Sequence, residues 1–187
     1  LSKPNTEQME EKNFSLVFCR RNCEDGSREV LLGMKKRGFG VGKWNGYGGK
    51  LDGDETIEQC AMRELEEESG IVTTDVTRKG YIVFKMIELN QMLRVHVYET
   101  WKFTGEGVET EEMRPQWYKE SEIPYEKMWL DDKHWLPLVL EGKNILARFE
   151  FEDEETITDY NVADDRILLD DAAFAGAAAP EVDVAQR

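Results

Sequence analysis

The chain has 187 residues, 39 acidic against 24 basic side chains, a net charge of −15 and hydrophobic residues at 40%. That length is most simply one domain with a sizeable core, and the acidity argues against a nucleic-acid polymer as partner, because backbone phosphates demand a basic face. No apolar run reaches the roughly 18 residues of a membrane span, and Cys19, Cys23 and Cys60 make an odd set with no second metal-binding pair, which suits a reduced, cytoplasmic setting with nucleus and mitochondrion as alternatives.

Residues 1–12 are polar and are expected to fray. Phe14–Cys19 and Arg28–Met34 read as strands joined by a polar loop, RRNCEDG. GFGVGKWNGYGGK is too glycine-rich for regular structure throughout, with Trp44–Gly48 extended. It matches neither the phosphate loop ending in GK[ST] nor the dinucleotide fingerprint, since Leu51 follows Lys50 where a hydroxyl is needed. Lys35, Lys36, Arg37, Lys43 and Lys50 stand here with no acid among them. Such a cluster suits a small polyphosphate, although an ordinary soluble hairpin surface accounts for several of these lysines equally well.

The spacing then predicts a helix from about Thr56 to Ser69, with Ile57, Cys60, Ala61, Glu64, Leu65 and Glu68 on one stripe. Glu67 flanks that stripe and Glu66 points away. A charge run is usually a solvated helix surface, which explains Glu66 but not carboxylates that continue an apolar face. Carboxylates aimed at a partly dry surface repel one another, so a positive partner is required. A hard divalent cation with oxygen ligands answers that need.

Tyr81–Ile87 and Met92–Phe103 carry strong strand patterns. Pro115 and Pro124 are expected in loops around a short strand at Gln116–Lys119. Asp131–Glu141 forms a helix despite Pro137, and Ile145–Phe151 a further strand. From 150 to 187 there are twelve acidic against two basic residues, and residues 164–187 are expected to be a disordered acidic, Ala-rich tail behind a single domain at 13–163. His96, in an alternating strand, and His134 are expected to be structural.

Gly49, Glu55, Arg63-Glu64-Leu65, Glu67-Glu68 and Gly70-Ile71 occupy nine fixed positions across 23 residues, and this run resembles the complete Nudix box. The resemblance implies an α/β fold, the α/β/α sandwich with a mixed β-sheet and a loop–helix–loop catalytic box. It also implies Mg²⁺-dependent hydrolysis, with Mn²⁺ as substitute, of a nucleoside diphosphate linked to another group. Glu64 and Glu68 would then be metal ligands and Glu67 a ligand or the base. Arg63 with Glu55 would hold the loop to the helix, and Gly48 would lie at the metal.

LLGMKKRGFG, WNGYGGK, EEMRPQWY, IPYEKMWLDD, HWLPLVL and ITDY together resemble the subfamily that hydrolyses oxidised purine nucleoside triphosphates, such as 8-oxo-dGTP and 2-oxo-dATP, to monophosphate and pyrophosphate. The departures are a longer first hairpin, Leu130 in place of Pro, Leu93 in place of Met, Ser15 near a Thr position, and the added tail. By this resemblance Asn45, Asp131, Asp132, Trp129, Trp135, Phe39, Phe84, Lys35, Ser15 and Leu93 would bind substrate, and Glu112 would be a further metal carboxylate from a loop. Adjacent carboxylates in an apolar pocket do not both ionise comfortably, and a protonated acid beside an ionised one matches more than one donor–acceptor pattern on a purine edge. Local sequence alone instead reads Asp131-Asp132 as a helix cap and both tryptophans as core. A hydrolase of methylated purine triphosphates, or a nucleotide sensor without turnover, remain open. Intact Glu64, Glu67 and Glu68 speak against the sensor. The expected partner is a small-molecule nucleotide, with no membrane, and the absence of an apolar seam favours a monomer.

Overall fold

The computed structural model describes residues 9–164. Strands β1 (Glu10–Asn22), β2 (Arg28–Lys35) and β3 (Trp44–Asn45) precede helix α1 (Ile57–Ser69). Strands β4 (Val72–Met86), β5 (Gln91–Thr104) and β6 (Met113–Lys119), helix α2 (Asp132–Leu140) and strands β7 (Ile145–Asp153) and β8 (Thr156–Asp164) follow. They make one mixed sheet in the order β3-β2-β1-β5-β4-β7-β8, with β6 against β2. The β1–β5 and β4–β7 pairs are parallel and the others antiparallel.

The two-residue period of a strand decides what each face of the sheet packs. On β1, Leu16 and Phe18 join the cluster of Trp135, Leu136 and Val139 from α2. Val17 and Cys19 join Ala61 and Leu65 from α1. The helices therefore cover opposite faces, and β1 is the shared wall. A helix is affordable at residues 57–69 because both ends are closed. Thr56 accepts from Gln59 N while Gln59 accepts from Thr56 N, and Gly70 takes the left-handed cap at φ 70° that other residues resist.

The sheet forks where the site lies. β1 and β2 pair through Cys19↔Leu31 and then part. The Trp44–Lys50 segment fills the wedge, joined to β2 at Gly33↔Asn45 and to β1 at Val17↔Tyr47 and Phe14↔Lys50.

Four expectations need correction. Glu10–Lys12, expected to fray, pair with Gln91–Leu93 and extend β1. Pro115, expected in a loop, lies within β6 opposite Gly33; β6 pairs only with β2 among the described residues, and a proline without an N–H is tolerated on such an edge. β4 begins at Val72, nine residues before the predicted start, and bulges interrupt the alternation that would have revealed it. β8 was not foreseen, because most of its residues are exposed and its composition is that of a polar edge. The expected tail at 165–187 lies outside the described residues. No helix among those described is long and apolar enough to cross a membrane.

Candidate active site

Arg63 organises the first half of the site. Its Nε and Nη2 meet the two Glu55 oxygens at 3.0 and 2.7 Å, the two-pronged geometry that a guanidinium favours. Its Nη1 reaches Glu64 at 2.8 Å and Glu67 at 3.1 Å. Glu55 also accepts from Asp52 N, so one arginine ties the Gly49–Glu55 loop to α1. That pairing, led by the Arg63 hydrogen bonds, holds the Glu55 carboxyl down at about 2.

Glu68 is almost fully buried. Burial pushes its carboxyl upward, partly countered by Lys35, whose Nζ lies 3.0 Å away, and by the Gly48 N–H at 3.1 Å. Lys35 also contacts Glu112 at 3.2 Å, and Arg37 takes the other Glu112 oxygen at 2.6 Å. The Arg37 and Lys35 hydrogen bonds hold Glu112 below the usual carboxylate range. Two glycines make this approach possible. A Cβ on Gly48 would strike the Ser15 carbonyl, and one on Gly49 would strike the Glu64 carboxylate.

Among the described residues, no three acidic, thiol or imidazole side chains close on one point. Glu64 is directed at Gly49 and Arg63, Glu67 is largely exposed, and Glu68 is held by Lys35. The donors nevertheless suit a hard divalent cation. They are carboxylate oxygens, and a single cation, the Lys35 ammonium, already joins Glu68 of α1 to Glu112 of the loop before β6. The Gly48 N–H donates to the second Glu68 oxygen, so that carboxylate is held from both sides.

The second half is a cavity of about 620 Å³ opening beside the fork. All ten residues proposed from sequence for the substrate line it: Ser15, Lys35, Phe39, Asn45, Phe84, Leu93, Trp129, Asp131, Asp132 and Trp135. Gly48 and Glu112 line it too. Arg63, Glu64, Glu67 and Glu68 are not in its wall.

Asp131 and Asp132 are both nearly inaccessible. Asp131 directly precedes α2, yet its side chain makes no cap hydrogen bond; instead it accepts from Trp135 Nε1 at 2.8 Å. Asp132 accepts from Trp129 N at 3.0 Å. Burial raises the pKa of both, and the charge of Asp131 raises Asp132 further. A shared proton is the expected state of such a pair. Trp135 is part of the α2 core and also of the cavity wall. Trp129 stacks on Phe39, the ring centres 4.8 Å apart. Ser15 turns its hydroxyl to Cys60 Sγ at 3.3 Å, and Asn45 accepts from Gly46 N at 2.8 Å.

Sequence reasoning passed over Phe14, Leu16, Met86, Val95 and Phe151, which also line the cavity. The signal was available: Leu93 with Val95, and Phe84 with Met86, are strand neighbours two apart, and each pair shares a face. Neither histidine lines the cavity. His96 bonds Asn13 and Arg78, and His134 lies against Tyr160 and Phe149.

The family model described as NUDIX domain matches residues 13–139. A zebrafish (Danio rerio) protein described as oxidized purine nucleoside triphosphate hydrolase is 47% identical over 133 residues, covering 71% of this chain and 85% of that protein. The mouse (Mus musculus) protein of the same description is 44% identical over 135 residues, covering 72% and 86%. In three dimensions the chain is similar to the crystal structure of a MutT protein from Bacillus halodurans, with a TM-score of 0.69 and 22% identity over 81% of this chain and 97% of that one, a likeness of fold.

Proposed function

The chain belongs to the NUDIX domain family, and from that premise we propose that it hydrolyses oxidised purine nucleoside triphosphates to the monophosphate and pyrophosphate. The observation that carries the substrate reading is the buried Asp131–Asp132 pair in the wall of a largely apolar cavity whose other wall includes Lys35 and Glu112. Each buried carboxyl group accepts one protein N–H on one oxygen, which leaves the other oxygen for a ligand, and burying such a group without a partner is costly. Half-protonated, the pair offers a donor and acceptors to a purine edge, beside the Asn45 amide.

Each residue then has a task. Trp129, with Phe39 stacked on it, forms one wall for the base, with Phe84 and Leu93 as further apolar wall. Lys35 carries positive charge toward the phosphates. Glu64, Glu67 and Glu68, joined by Glu112 and the Gly48 backbone, hold a divalent cation, Mg²⁺ by preference. When bound, that cation neutralises charge developing on phosphoryl oxygens and orients water. Arg63 holds Glu64 and Glu67 in register, and Glu67, the most exposed of the three glutamates, takes a proton from the attacking water in this reading. We take the monomer as the working unit.

The test is pyrophosphate release from 8-oxo-dGTP, followed with and without Mg²⁺. Asp131→Asn retains an oxygen for Trp135 Nε1, so the variant should melt with the parent yet lose about a hundredfold or more in kcat/KM. Full activity in that variant would end the base-reading role of the pair.

A further inference from the structure

Three cations line the cavity, and two are engaged. Lys35 is held by Glu68 and Glu112, and Arg37 by Glu112 with Glu111 nearby. Lys43 makes no ion pair with a carboxylate among the described residues. Its Nζ stands 5.0 Å from the centre of the Trp129 ring. Its backbone is pinned on both sides, with Lys35 N donating to its carbonyl at 3.0 Å and its own N donating to Gly40 O at 3.0 Å. Lys43 is half-buried and lines the cavity.

Its neighbours say which part of a nucleotide it meets. Trp129, under the ammonium, presents its backbone N–H to Asp132. The Lys43 charge also reaches Asp132, opposing the rise that burial and Asp131 impose there. Lys43 thus groups with the α2 end of the cavity, whereas Lys35 and Arg37 group with Glu68 and Glu112. An ammonium only donates, in contrast to the amide of Asn45 and a half-protonated acid pair, which offer both polarities.

We propose that Lys43 is a specificity-determining residue whose ammonium donates a hydrogen bond to an exocyclic carbonyl oxygen of the purine seated against Trp129. This rests on the purine nucleotide reading above. Bases that carry such an oxygen, oxidised purines among them, gain the bond; unmodified adenine does not.

The probe is the nucleoside 8-oxo-2′-deoxyguanosine, which has no phosphate, titrated calorimetrically into the parent, Lys43→Met and Lys43→Arg. Inhibition of turnover by inorganic tripolyphosphate is measured on the same proteins. Lys43→Met keeps the stem without the charge and should weaken nucleoside binding about tenfold, the usual worth of a charged hydrogen bond. Lys43→Arg should restore part of it, and tripolyphosphate inhibition should be unchanged in both. Unaltered nucleoside binding in Lys43→Met overturns the proposal, and so does a loss confined to tripolyphosphate, which would make Lys43 a phosphate contact. A parent that binds the nucleoside through Lys43 but releases no pyrophosphate from 8-oxo-dGTP would sink the hydrolase reading and leave this one standing.

Discussion

In the proposed function Glu68 is the most buried of the box carboxylates assigned to the metal. It is nearly buried, and its negative charge is tolerated because Lys35 and the Gly48 N–H meet its two oxygens. Glu68→Gln keeps the shape and one of the two accepting oxygens but removes the charge offered to a divalent cation. The expected result is a fall in kcat on the order of 10² or more, with the melting temperature little changed. Calorimetric titration with Mn²⁺ should show weaker metal binding in the same variant; unchanged binding would remove Glu68 from the ligand set. Residue identity was the most legible layer in the sequence. Glu64 and Glu68 stood out because they share a stripe with Cys60 and Ala61, whereas Asp131-Asp132 stood out only through the resemblance that the IPYEKMWLDD run carries, since local sequence alone reads them as a helix cap. The partners of those residues were not legible. That Asp131 would face Trp135 instead of capping α2 depends on how the chain enters the helix, and that Lys35 would bridge Glu68 and Glu112 depends on three separate segments meeting.

At the scale of elements, the box works as a loop stapled to a helix. Arg63 gives Nε and Nη2 to Glu55 and shares Nη1 between Glu64 and Glu67, and a lysine cannot reproduce that planar fork. Arg63→Lys should therefore lower kcat about tenfold or more while KM moves little, since the loop loses its register without losing its charge. Steady-state kinetics on 8-oxo-dGTP would check this, and an equal rise in KM with constant kcat would point to a binding role instead. The boundaries of α1 were readable because its capping residues, its apolar period and Gly70 agree. β8 was not, because an edge strand with a solvated surface lacks the alternation that marks a half-buried one. The start of β4 was hidden for a related reason: a bulge shifts which face each residue takes.

For the molecule as a whole, buried ionisable groups make stability depend on pH. His96 lies inside, and burial, followed by the charges of Arg78 and Arg94, pulls its pKa down to about 4. Arg78 donates to Nδ1, so the native ring is neutral, with its proton on Nε2 toward Asn13. Unfolding frees the ring to take up a proton below its ordinary value of 6.5, so the unfolded state binds more protons across that window. Stability from this group is therefore complete above pH 6.5 and lost as the pH falls toward 4, by about 3 kcal/mol in all. The Asp131–Asp132 pair runs the other way, since raised carboxylates favour the folded state at lower pH. Comparing denaturant unfolding of the parent and His96→Asn at pH 7 and pH 4.5 isolates the histidine: the variant should show the weaker loss on acidification. Equal slopes would place the proton elsewhere.

The fork in the sheet has one more consequence. Because β1 lends alternate side chains to both helices, and the glycine-rich segment is wedged against it, the recognition end and the scissile end hang from the same rigid rail. Such a rail acts as a gauge. On the proposed function, a nucleotide that settled too high or askew against the tryptophans would carry its phosphorus out of reach of the glutamates by the same displacement, so that discrimination between damaged and intact building blocks would be expressed as misalignment as well as weaker grip.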